Sequence, residues 1–336
     1  MSSSISSSDP TKAWRRFATL LTGATLGLVV FVYLFVILID PWNVLPLAPP
    51  LPRVPNSGNA RYSFPALARS PDFDSILLGT STTRLLQPAQ LDPLFHARFA
   101  NLAMNSATAW EQMQLLRLFI RAHPNPRAIL IGLDAEYCRD VAPETTSRPF
   151  PRWMYSGSSW AAYREMLTPY AVQESANQFA VMIGLHRRRY GLDGYTSFVP
   201  DDAAYDPARV DAAFARWPAA DSAPAVPDET FRFPAHDLLA DGLRNVPPGT
   251  KITMFFPPAS LERQAPPGTR DAARWAACKT AITQIAPAAT VIDFMIPSDV
   301  TTGRANYWDP LHYRAAVAAR IGQVLAGGTD PMARRL

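Results

Sequence analysis

The first strong pattern along the chain is an apolar stretch at residues 17–39, free of charged residues and rich in Leu, Val, Phe and Ile. About 20 helical residues cross the hydrocarbon core of a bilayer, so the stretch is long enough to span one. A proline-rich segment follows, and then short apolar runs appear at residues 73–78, 99–104, 128–133, 252–256 and 291–294. Such continuous runs predict strands buried on both faces, as in a parallel sheet covered by helices. Between the runs, apolar residues recur at helical spacing. Trp110, Met113, Leu116 and Ile120 form one stripe; Trp275, Cys278, Ile282 and Ile285 form a second; Val317, Ile321, Val324 and Leu325 form a third, stopped by Gly327-Gly328. The alternation predicts an α/β fold, a parallel sheet in a three-layer α/β/α arrangement behind one N-terminal transmembrane helix.

Charge orients the apolar stretch. Lys12, Arg15 and Arg16 precede it and no basic residue follows until Arg53, so the positive-inside bias keeps the N-terminus cytoplasmic. A cleaved signal peptide has an apolar region of only about 7–15 residues and a small-residue cleavage site, whereas Asp40-Pro41-Trp42 follows here. The expected organisation is a cytoplasmic tail at 1–16, an anchor at 17–39, a proline-rich spacer at 40–68 and an exterior domain at 69–330. In a Gram-negative cell that means the inner membrane, with the domain in the periplasm. Residues 139–249 interrupt the strand–helix alternation and contain helical patterns near 161–167 and 172–183. Structureless loops beyond about 15 residues are uncommon in compact domains, so this insertion predicts a partly helical cap over the site.

Composition narrows the class. With 336 residues, 48% hydrophobic and 18% charged, the chain can bury a full-sized core and is not a disordered protein. The net charge of +4 is a weak basic bias that predicts no nucleic-acid partner. One dense basic run, Arg187-Arg188-Arg189, reads either as a solvated helix end or as a contact for anionic sugar or lipid head groups. Cys138 and Cys278 are the only cysteines. An oxidising exterior permits a disulfide between them, while Cys278 also fits an apolar helix face as a free thiol. No Cys/His cluster has metal-site spacing, and neither metal nor cofactor is expected.

The chemistry lies in two short motifs. One is Tyr307-Trp308-Asp309-Pro310-Leu311-His312-Tyr313; the other is Gly79-Thr80-Ser81, where the first strand ends. An aspartate three residues before a histidine can hold the imidazole in one tautomer, leaving its other nitrogen to take a proton from a serine hydroxyl. Each motif also has a plainer reading. Asp309-Pro310 resembles a helix start, Gly-Thr-Ser a tight turn, and Asn105 a turn former. Their joint occurrence with α/β alternation favours chemistry, because ligands of such sheets bind beyond the carboxyl ends of the strands. Ser81, Asn105 and Asp134 all follow predicted strands there. His96, His123, His186 and His236 lack a comparable carboxylate partner, and Asp134 reads as a support for the site or a cap for the next turn.

These residues resemble the SGNH/GDSL hydrolase superfamily. Gly79-Thr80-Ser81 is similar to the family's Gly-Asp-Ser block, with Thr80 in place of Asp, and Asp309-x-x-His312 is similar to its terminal Asp-x-x-His block. The Ile76 to Ser81 stretch, Asn101-Leu102-Ala103-Met104-Asn105, the Ile129 to Asp134 stretch and the single anchor resemble a membrane-bound branch that includes alginate O-acetylation proteins. The resemblance implies a flavodoxin-like strand order and catalytic Ser81, His312 and Asp309. It also implies acyl-ester chemistry on cell-surface polysaccharide, often beside a multispan membrane acyltransferase. The family's Gly-x-Asn-Asp block has no match, since Gly132-Leu133-Asp134-Ala135 occupies the comparable strand end. The oxyanion hole is therefore assigned to the backbone N–H of Ser81 and the side chain of Asn105. The expected activity is O-acyl transfer or ester hydrolysis; the alternative is a non-catalytic polysaccharide-binding or assembly protein with a degenerate site.

Overall fold

A computed structural model describes residues 10–156, 160–218, 220 and 222–336. It is a mixed α/β structure with one long apolar N-terminal helix. The six-stranded sheet comprises β1 (Ser75–Leu78), β2 (Phe99–Asn101), β3 (Ala128–Gly132), β4 (Lys251–Phe256), β5 (Thr290–Asp293) and β6 (Arg334–Arg335), in the order β2-β1-β3-β4-β5-β6. The first five are parallel, with Ile76 opposite Ala100, Leu77 opposite Leu130 and Met254 opposite Val291. β6, absent from the sequence reading, runs antiparallel along β5. Two exposed arginines make it up, so it carries no apolar signal.

Why the strand sequences are apolar throughout follows from the two sides of the sheet. Ile76, Leu78, Ile129, Ile131 and Met254 join one hydrophobic cluster with Met113, Leu116 and Phe119 of the Ala109–Ala122 helix. Leu77, Leu130, Phe255 and Ile292 join another with Val317, Ile321 and Leu325 of the Ala315–Leu325 helix. Alternate residues point to opposite faces of a strand, and here both faces are buried. The chain steps from β1 outward to β2 and then back across β1 to β3. This reversal opens a crevice at the carboxyl ends of β1 and β3, where doubly wound sheets bind ligands.

The Pro10–Ile39 helix is the one helix among the described residues long and apolar enough to cross a membrane, and only 11% of its most apolar window is buried. Its last turns are different. Val36 and Ile39 are buried, Tyr33 Oη donates to the carbonyl of Tyr163 at 2.5 Å, and Phe35 meets Phe179 edge to face.

Residues 40–68, read from their prolines as a spacer, pack against the rest of the protein. Asp40 is buried and accepts the N–H groups of Val44 and Leu45, and Trp42 packs against Tyr62 and Tyr170. The Ala60–Arg69 helix is capped by Asn59 and buries Phe64 and Leu67. On it, Arg61 pairs fully buried with Glu111, with Nε to Oε1 at 2.7 Å and Nη2 to Oε2 at 2.5 Å. Proline stiffens this segment, but its aromatic and aliphatic residues decide that it packs.

The 139–249 insertion divides its contacts instead of lying wholly over the strand ends. The Ala161–Glu165 and Pro169–Met182 helices lie against the end of the apolar helix. Around 193–202 the chain passes the edge of β2, where Asn101 N–H donates to Asp193, and reaches the His312 loop. The Pro234–Arg244 helix returns to the core beneath the sheet through Ala235 and Leu239. Cys138 and Cys278 are joined as a disulfide, with Cα atoms 5.4 Å apart, tying the segment after β3 to the Arg270–Ile285 helix.

Candidate active site

β1 delivers Ser81 to the crevice through a turn that only glycine tolerates. Gly79 has φ +151°, and a Cβ there would lie 2.2 Å from Thr83 Oγ1. With glycine in place, the chain turns at Thr80 into the short Ser81–Arg84 helix. Tyr313 Oη donates to the carbonyl of Thr82 at 2.6 Å, tying this helix to the far end of the sequence.

The Asp309 to His312 segment is not a helix start; the next helix begins at Ala315. Tyr307 and Tyr313 instead pair as an antiparallel bridge, and Trp308 N–H donates to the carbonyl of His312 at 2.8 Å. Ser260 N–H secures the turn through the carbonyl of Pro310. Within it, Asp309 Oδ1 accepts from the N–H groups of Leu311 (2.9 Å) and His312 (3.0 Å). One carboxylate oxygen thus shapes the turn. The other is free to face the imidazole.

Two hydrogen bonds then run in line. Asp309 Oδ2 lies 2.6 Å from His312 Nδ1, and His312 Nε2 lies 2.9 Å from Ser81 Oγ. With Nδ1–H donating to the carboxylate, Nε2 is an acceptor for the serine hydroxyl. The imidazole is 17% exposed and the carboxylate 23%, so the relay is shielded yet reachable. Burial alone would raise the Asp309 carboxyl, but the hydrogen bond and charge of His312, together with the backbone N–H groups of Leu311 and His312, outweigh it and hold the group below its ordinary value. Phe198, from the insertion, meets the imidazole edge to face with centroids 5.2 Å apart. That contact was not legible in the sequence, because nothing local marks a phenylalanine in a loop as a neighbour of His312.

Ser81 opens onto a pocket of about 380 Å³ whose walls include Thr80, Ser106, Asp134, Arg139, Arg263 and Trp275. A larger cavity of about 1080 Å³, between Tyr62, Tyr170 and Arg189, shares no lining residue with it. Asp134 accepts a hydrogen bond from the Thr80 hydroxyl and another from the backbone of Glu136, so it both braces the serine turn and caps the turn after β3. Its burial raises the carboxyl, and these two bonds only partly offset that.

Asn105 lies beside the serine turn but makes no hydrogen bond to Ser81 among the described residues and does not line its pocket. Met104 N–H donates to the carbonyl of Gly79 at 3.0 Å, and Arg84 Nη1 donates to Asn105 Oδ1 at 3.4 Å. That leaves the amide N–H₂ of Asn105 without a hydrogen-bond partner among the described residues. Arg84 itself is buried over the ring of Tyr190. Its position three residues after Ser81, one helical turn on, was the only local signal of its role.

The chain matches no protein-family model, and no curated protein matches it.

Proposed function

We propose that the chain is a membrane-anchored serine esterase or O-acyltransferase of SGNH-like, three-layer α/β/α architecture, with Ser81 as nucleophile. The observation that carries this reading is the continuous hydrogen-bonded line from Asp309 through His312 to Ser81 at the mouth of a pocket. The disulfide, and Lys12, Arg15 and Arg16 just before the apolar stretch with no basic residue after it until Arg53, support an inner-membrane anchor with the folded part outside the cytoplasm.

Ser81 Oγ attacks the carbonyl carbon of an acyl ester while its proton passes to His312 Nε2. The imidazolium that forms is stabilised by the Asp309 carboxylate. Negative charge on the former carbonyl oxygen meets the Ser81 N–H, which has no acceptor within its own helix turn, and the Asn105 amide. As the intermediate collapses, the carbon–oxygen bond to the leaving group breaks and His312 returns the proton to the departing alcohol. A second hydroxyl, from water or a sugar, repeats the steps in reverse and frees Ser81. Transfer wins over hydrolysis where the acceptor hydroxyl is held against the acyl-enzyme and water is not. The acceptor in this reading is a cell-surface polysaccharide, with a multispan membrane acyltransferase as the source of acyl groups.

The test is labelling of the full-length, detergent-solubilised protein with a serine-reactive phosphonate, followed by intact mass. One adduct is expected on the wild type and none on Ser81→Ala. Labelling that survives the substitution removes Ser81 from the mechanism. Wild type that folds but takes no label favours the non-catalytic binding role.

A further inference from the structure

The Pro169–Met182 helix has its polarity inside out. Toward the protein it buries Glu174, Ser175 and Gln178 beside Ala171, while Val172, Ala176, Phe179 and the following Ile183 are exposed, with Gln173 exposed at the side of that stripe. Those four apolar positions are spaced i, i+4, i+7 and i+11, so they form one stripe. A helix packed on a water-soluble domain normally turns its apolar stripe inward and its polar residues to solvent. Gln178 instead lies against the backbone of Val54.

What lies beside the exposed stripe explains the reversal. Phe179, in the middle of it, meets Phe35 of the apolar N-terminal helix, and the neighbouring Tyr163 carbonyl accepts from Tyr33. At 1.5 Å per residue, Tyr33 lies about 9 Å and Phe35 about 6 Å before Ile39 along the helix axis. The segment therefore reaches back along the apolar helix, below the point where its hydrophobic stretch ends. Trp160 and Leu167 before the helix and Leu185 after it are exposed apolar residues as well. After His186 come Arg187, Arg188 and Arg189, all exposed; neither Arg187 nor Arg188 is in an ion pair among the described residues.

We propose that residues 160–189 form a second membrane-contact element. The outward stripe lies in the bilayer leaflet next to the folded domain, with the arginine run against anionic lipid phosphates. This rests on the reading of the N-terminal helix as an anchor. An amphipathic helix with an apolar face and a basic flank lies in the interfacial plane in this manner. Held at two places, the domain has a fixed orientation on the membrane, and the Ser81 pocket a fixed direction relative to it.

Depth measurement on the full chain tests this. Both native cysteines are in the disulfide, so a single new cysteine takes a nitroxide label. Leu167→Cys, Ile183→Cys, Leu26→Cys and Val226→Cys, all at exposed positions, are reconstituted in phosphatidylcholine vesicles containing phosphatidylglycerol. Collision with oxygen is then compared with collision with a water-soluble nickel complex. Labels at 167 and 183 are expected to show an oxygen-to-nickel ratio several times that at 226, approaching that at 26. Labels at 167 and 183 that match 226, with 26 in lipid, overturn the second contact alone. An aqueous reading at 26 removes the anchor and the proposal with it. Omitting phosphatidylglycerol is expected to make the label at 183 shallower, and Arg187→Glu/Arg188→Glu to abolish that lipid dependence; a depth indifferent to both refutes the role of the arginine run.

Discussion

Replacing Asp309 with asparagine changes one atom of the relay and reverses the proton it controls. Asp309 Oδ1 is committed to two backbone N–H donors, from Leu311 and His312. The asparagine oxygen must take that position, because an amide N–H₂ there would face two donors. Its N–H₂ then faces His312 Nδ1, 2.6 Å from Oδ2 in the wild type, and donates to it. The imidazole switches to the tautomer protonated on Nε2, so the nitrogen 2.9 Å from Ser81 Oγ carries a hydrogen and cannot accept one. Loss of the correct tautomer in such a relay lowers turnover by about 10⁴-fold. At about 1.36 kcal/mol per decade, that is about 5.4 kcal/mol of lost transition-state stabilisation. The assay is hydrolysis of a small aryl acetate by the full-length protein in detergent, with thermal unfolding followed alongside to show that the turn survives. Turnover of Asp309→Asn within tenfold of wild type, in a protein that melts normally, would refute the assignment of the carboxylate.

The same carboxylate makes stability depend on pH. Its folded value lies below the ordinary 3.8, so its contribution is fully present above that ordinary value and is lost as pH falls through the depressed one; urea unfolding below pH 4 should show wild type losing stability on acidification that Asp309→Asn does not lose. Gly79→Ala forces a Cβ to within 2.2 Å of Thr83 Oγ1 at φ +151°, and the backbone strain alone costs about 1–3 kcal/mol. Chemical denaturation should register that loss, with partial recovery in Gly79→Ala/Thr83→Ala; an unchanged midpoint contradicts the packing argument. The disulfide spans 140 residues, which in the chain-entropy account is worth up to about 5 kcal/mol. Cys138→Ser/Cys278→Ala should therefore melt well below wild type, and reducing agent should lower the wild-type melting point but not that of the double variant.

Local chemistry made the strands, the apolar helix and the two motifs readable in the sequence. Runs such as Ile76 to Leu78 and Ile129 to Ile131 are apolar because both sheet faces are buried, a requirement that each strand meets within its own few residues. Asp309 and His312 are likewise close enough in sequence for their partnership to be inferred from spacing. The pairing of Cys138 with Cys278, and the packing of Trp42 and Arg61 where the prolines suggested a spacer, depend on partners distant along the chain. So does the nearness of Ser81 to His312. Residues 231 positions apart meet only because the crossover from β1 through β2 to β3 opens a crevice at their carboxyl ends and the Tyr307–Tyr313 bridge folds the late loop onto it. A helical pattern near 172–183 was readable in the sequence, but which side of the Pro169–Met182 helix would face the protein was not. Periodicity specifies a face, and only the neighbours supplied by tertiary structure specify what that face meets.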